Sequence, residues 1–143
     1  MTTEELVISM YQNTSTAIQS ISDLIKKADD KVFQSLLEAQ AKRYKEIKAK
    51  IKKLSDKEHI DLKDNSWFEK AKLWTSIQMG TIADNSTRHL AELMLVGTVM
   101  GTLTCYKNHN DYNGKNQNAK LLLKELEHME EDNFKELKKY LKE

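Results

Sequence analysis

Apolar side chains recur along this chain at intervals of three, four or seven over four long stretches, the period of helices that bury one face. Thr2 with Glu5 forms a capping box, and Val7, Met10, Thr14, Ile18, Ile21 and Ile25 follow in step, which predicts a first helix over residues 3–27. The segment "KKADDKV" leaves room only for a tight connection, with Asp29 or Asp30 as the next cap. A second helix near 31–54 should therefore lie antiparallel to the first, with Phe33, Leu36, Leu37, Gln40, Tyr44, Ile47, Ile51 and Leu54 on one side. "SDKEHIDLKDN" (55–65) is a sustained polar loop. Ser66 with Glu69 makes a second capping box, and from there the apolar pattern runs on to Lys107. That is a helix of about 40 residues, or about 60 Å, longer than its neighbours, so a bend or break is expected, with Gly80 the obvious candidate. "NHNDYNGKN" (108–116) is a turn, and a fourth helix over 117–141 carries Leu122, Leu126, Met129, Asn133, Leu137 and Tyr140 in register.

Four helices joined mostly by short links predict one all-α domain over residues 1–143, an up-down-up-down four-helix bundle with a long third helix. Composition agrees. The 143 residues include no proline and four glycines, and 31% are charged, a balance suited to long amphipathic helices. No alternating run bounded by turns competes as a strand.

The informative positions are those where a core-facing residue is polar. Thr14, with Asn13 at its edge, stands on the first helix, and Gln40 and Tyr44 on the second. Asn85, His89 and Glu92 share a row with Val96, Val99 and Leu103 on the third, and Glu130 and Asn133 lie within about 40° of Leu126 on the fourth. In an alternating bundle these residues converge near mid-height. Buried polar groups must find partners, so a hydrogen-bonded polar layer that fixes helix register is the first expectation.

The alternative is a metal centre. Carboxylate and imidazole together suit iron, manganese or zinc, and paired-metal bundle sites use Glu-x-x-His motifs at mid-core. Glu125 and His128 match that motif, but His128 falls about 160° around the helix from Leu126 and points outward. The second helix has no such motif, and the first has no mid-core carboxylate. What remains is a mononuclear site from His89, Glu92 and Glu130, with no other cofactor expected.

The third helix is apolar over much of its circumference, with Met79, Ile82, Leu93, Gly97 and Met100 in a second stripe. Gly97 and Gly101 form a small-x-x-x-small pair that admits a close neighbour. Either this is the most buried helix of a monomer, or these residues form a homo-oligomer interface. The run 90–106 is too short and, with Glu92 inside it, too polar for a membrane span.

A net charge of +1 predicts no strong pull toward nucleic acid or anionic membrane, and the lysines of "AKRYKEIKAKIKKL" read as a solvated helix face. Cys105 is the only cysteine and has no His or Asp beside it in sequence, so a buried structural thiol is expected. An acidic start, "MTTEELVISMYQN", where a signal peptide needs basic residues, points to the cytoplasm. No glycine-rich phosphate loop, Gly-x-Ser-x-Gly elbow or Cys-x-x-Cys occurs, and no small-molecule substrate can be named.

The segments "MYQNTSTAIQSISDL" and "DNSTRHLAELMLVGTVMG" resemble a group of small, uncharacterised ferritin-like four-helix proteins of anaerobic, spore-forming bacteria. The resemblance implies a ferritin-like bundle and no particular activity. The chain departs from the ferritin metal motif, so iron storage and ferroxidase chemistry are not implied. The functional expectation is a non-enzymatic protein with a structural or interaction role that self-associates through the third helix, and the alternative a metal-binding or redox protein using His89, Glu92 and Glu130.

Overall fold

A small polar side chain closes the first turn of each helix in the computed structural model, which describes residues 1–62 and 85–142. Thr2 accepts from the Glu5 amide at 3.1 Å while Glu5 accepts from the Thr2 amide at 3.0 Å, completing the expected capping box at the head of α1, Thr3–Ile25. Asp30 caps α2, Lys31–Lys57, through the Phe33 amide at 2.8 Å. Ser86 caps α3, Thr87–Asp111, through the His89 amide at 3.2 Å, and Asn116 caps α4, Gln117–Lys138, through the Ala119 amide at 3.0 Å. One 3₁₀ turn, Lys139–Leu141, follows. Among the described residues the chain is all-helical, with four helices and no strand.

The end of α2 is a Schellman turn. Ile60 N–H bonds back to Ser55 at 2.8 Å and His59 N–H to Asp56 at 3.3 Å, while His59 takes the left-handed conformation (φ 55°) usually given to glycine there.

Helix directions depart from the alternating order expected. The α1–α2 and α3–α4 pairs pack most closely, each joined by a short turn. The Met1 amino group meets the Asp111 carbonyl at 3.1 Å and Asn108 meets Ser9 at 2.8 Å, so α1 and α3 are antiparallel. Tyr44 meets Glu130 and Lys50 meets Glu125, so α2 and α4 are antiparallel as well. Hence α1 and α4 run one way and α2 and α3 the other. The expectation of up-down-up-down is thereby corrected, because α2 ends and α3 begins at opposite ends of the bundle and no single turn can join them.

The long helix expected over 66–107, with its bend or break at Gly80, is likewise corrected at residue 85. Asn85 and Ser86 are non-helical, and α3 starts afresh at Thr87. The Ser66 capping box and the bend at Gly80 lie outside the described residues.

Apolar stripes from all four helices meet in one core. Leu6, Val7 and Met10 of α1, Phe33, Leu37 and Ile51 of α2, Leu90 and Ala91 of α3, and Leu126 and Leu137 of α4 are buried, and the Phe33 and Tyr140 rings lie 5.0 Å apart. Each such leucine contributes about 2 kcal/mol by leaving water. Tyr112 ties the α3–α4 turn to the start of α1, its hydroxyl 2.7 Å from Thr3 and accepting the Asn116 amide at 3.2 Å. No described helix is long and apolar enough to cross a membrane.

Candidate functional site

Glu130 is the one acidic side chain in the described core, 1% exposed. It lies four residues after Leu126, about 40° around α4, so the stripe that buries Leu126 and Leu137 buries it too. Its carboxyl collects donors from the other three helices. Oε1 accepts from Asn13 Nδ2 of α1 at 2.9 Å and from the Cys105 thiol of α3 at 3.6 Å, and Oε2 accepts from the Tyr44 hydroxyl of α2 at 3.5 Å. Asn13 also donates to the Gly101 carbonyl at 3.2 Å.

Gly101 makes this arrangement sterically feasible. A Cβ at that position would stand 2.0 Å from Glu130 Oε2 and 2.9 Å from Asn13 Oδ1. The carboxyl therefore rests against the α3 backbone where a side chain would otherwise be.

Burial raises the Glu130 pKa from 4.5 to about 8, and the hydrogen bonds from Asn13, Cys105 and Tyr44 restrain the rise. Burial also pushes the Cys105 thiol upward, with Glu130 adding to the effect, and pushes the Tyr44 hydroxyl upward for the same two reasons. Arg43, one residue before Tyr44, is committed to Glu136 through two bonds of 2.9 and 3.1 Å. The cluster can thus hold or release a proton at Glu130. Its thiol stays protonated and is a poor nucleophile.

Beside this cluster, Gln40 Nε2 reaches the Asn133 carbonyl at 3.5 Å. Among the described residues Gln40 Oε1 and the Asn133 amide close no regular hydrogen bond, although that amide lies near the Tyr44 hydroxyl. Thr14 is buried, but its hydroxyl bonds back to the Met10 and Tyr11 carbonyls of its own helix at 3.0 Å each.

Of the eight residues expected in the polar layer, the structure buries Thr14, Gln40, Tyr44, Glu130 and Asn133. It leaves Asn85 and Glu92 exposed and His89 half-buried at the first turns of α3. His89 and Arg88 pair with Glu92 on the surface, each at 3.6 Å. Glu130 sits at the level of Gly101 and Cys105, about 13 Å further along the helix than Glu92. The metal set His89, Glu92 and Glu130 therefore does not come together. The cause is the late start of α3, which moves residues 85–92 from mid-height to one end. Among the described residues no group of three or more His, Cys, Asp or Glu converges. Glu125 and His128 are exposed, as their spacing predicted.

Three members of the cluster escaped sequence reasoning as site residues. Asn13 stands at the edge of its row, Cys105 has no partner beside it in sequence, and Gly101 falls in a small-x-x-x-small pair that suits either a buried helix or an interface. A signal was present: Thr98, Gly101 and Cys105 follow one another by three and four residues, a row of small side chains suited to a close internal approach.

Of the expected interface residues, Leu93 is half-buried, Gly97 and Met100 are exposed, and Gly101 is internal; Met79 and Ile82 lie outside the described residues. The outer side of α3 is nonetheless apolar. Val96, Val99, Met100 and Leu103 are 50, 42, 55 and 51% exposed. An open groove of about 400 Å³ continues this surface toward α4, lined by Val99, Leu103, Tyr106 and Phe134 with Lys135 and Lys138 among its edges.

The fold and core define an all-α protein with a sealed polar cluster on one side of α3 and an apolar face on the other. Comparison with protein-family models, curated proteins and solved structures returns no match.

Proposed function

We propose that the protein is a ferritin-like helical bundle that works by association rather than catalysis, assembling with itself through the outer side of α3. The carrying observation is that exposed face. Single exposed apolar residues are ordinary, whereas Val96, Val99, Met100 and Leu103 are contiguous. Two features support the remainder of the reading. A bundle in which α2 and α3 run the same way belongs with folds that have a long connection, as ferritin-like folds do, in keeping with the resemblance in sequence. The bonds at Glu130 tie all four helices into one register, a structural role for the polar core. The buried, unpaired Cys105 fits a reducing compartment, and on that ground we place the protein in the cytoplasm.

The test is molecular mass in solution by light scattering across a dilution series. A mass above 16.6 kDa that falls on dilution is expected. A monomer at every concentration removes the association reading.

A further inference from the structure

The outer face of α3 carries a pattern more specific than apolarity. Glu92, Val96, Val99, Leu103 and Tyr106 follow one another by four, three, four and three residues, the 3.5-residue step that lets one helix lie along another. The buried side repeats the same step in Ala91, Met94, Thr98, Gly101, Cys105 and Asn108. On that side α1 and α4 fill the seam. The outer seam has the same helical spacing, and its apolar side chains are exposed among the described residues.

Its two ends carry charges in a fixed order. Glu92 closes the seam toward the N-terminus of α3 and Lys107 toward the C-terminus; both are exposed and fall within the arc of about 100° that holds Val96, Val99, Met100 and Leu103. Arg88 and Asp111 flank the two ends in the opposite order of sign. A surface whose charges run Arg88, Glu92, apolar middle, Lys107, Asp111 (plus, minus, plus, minus) complements a reversed copy of itself. A copy laid parallel would set Glu92 against the partner's Glu92 and Lys107 against the partner's Lys107.

We infer that the partner covering this face is a second copy of the chain, with the two α3 helices antiparallel about a two-fold axis near Val99 and Met100, and Glu92 of each facing the partner's Lys107. The inference rests on the association reading above and adds the occupant's orientation. The antiparallel arrangement also sets the helix dipoles head to tail. Phe134 and the Lys135–Lys138 edge of the groove flank the seam and widen the contact. A single helix pair buries less than the about 800 Å² per partner of a standard interface, so a concentration-dependent dimer is expected.

Sedimentation velocity on the full chain and four variants decides the matter. Met100→Lys places a charge in the seam and should weaken the dimer about a hundredfold. Glu92→Lys and Lys107→Glu each set like charges together twice in a two-fold dimer and should weaken it about tenfold. The double variant Glu92→Lys/Lys107→Glu restores opposite charges and should return to within about threefold of the parent. Positions 92 and 107 stand about 22 Å apart on one helix, so recovery cannot arise within a monomer. A dimer that Met100→Lys abolishes but that ignores both single charge reversals overturns the antiparallel orientation and leaves self-association through α3 standing. So do weakened single variants without recovery in the double. A parent chain that stays monomeric to about 1 mM, or a dimer indifferent to Met100→Lys, overturns the association reading and the orientation together.

Discussion

Ala91, Met94, Thr98, Gly101, Cys105 and Asn108 turn inward from α3, while Val96, Val99, Met100 and Leu103 turn outward. The inward row is the smaller and more polar of the two, the reverse of α2, whose buried row is Phe33, Leu37, Tyr44, Ile47 and Ile51 and whose outer face is largely lysine. The difference shows that burial in this bundle follows fit as well as hydrophobicity. A large apolar side chain at 101 would collide with Glu130, so the position is left to glycine. A buried acid in the fourth helix thereby shapes the third.

The largest effect expected from this contrast is a pH dependence that belongs to the inner side alone. Glu130 holds its proton to about pH 8 in the folded chain and to about 4.5 when unfolded. Between those values the folded state binds a proton that the unfolded state has lost. Stability contributed by Glu130 is full below about 4.5 and falls as pH rises through about 8, by at most about 1.4 kcal/mol per pH unit, several kcal/mol in total. Urea unfolding of the parent and Glu130→Gln between pH 5 and 9 measures it. The glutamine variant should lack this slope, and equal slopes in the two proteins would count against a proton held at Glu130.

Next in size is Gly101→Leu, expected to destabilise the fold by about 3 kcal/mol because the new side chain must displace Glu130 and Asn13. Gly97→Leu is its control on the open side, where a Cβ meets nothing within 4 Å and helix propensity improves by about 1 kcal/mol. Equal effects of the two substitutions on the denaturation midpoint would erase the distinction between the faces.

Tyr44→Phe should lower stability by about 1 kcal/mol at pH 9 and shift the Glu130 titration upward, since a donor to the ionised carboxyl is lost. A carbon-13 titration of the Glu130 carboxyl reads the direction, and a downward shift contradicts the proposed donor. Smallest is Val96→Lys, expected to change monomer stability by no more than about 0.5 kcal/mol because the side chain is half exposed. A thermal melt that drops by more would mean that the outer face is packed within the chain itself.

Much of the helical framework was readable from residue order. The capping box at Thr2, the stripes from Val7 to Ile21 and from Phe33 to Leu54, and the turn before Gln117 follow from local rules of spacing and capping. So did the burial of Thr14, Gln40, Tyr44, Glu130 and Asn133, because each lies on a stripe shared with leucines or isoleucines. The start of α3 is hidden by an apolar pattern that runs unbroken through residue 85. Ser86 is a competent cap, but when a periodic pattern continues on both sides of such a residue, local rules cannot choose between interruption and continuation. A helix continued through that point sets α3 at another level and rotation, which puts His89 and Glu92 in the room that Gly101 and Cys105 occupy.

Local order was thus sufficient for four helices, their apolar faces and the presence of an acid among them, since each depends on neighbours within a turn or two along the chain. Whether that acid meets imidazole, as in a metal site, or an amide, a thiol and a phenol, as it does here, depends on which turns of four helices share a height. Height is set by where each helix begins and which way it runs, and those are properties of packed helices that no single helix contains.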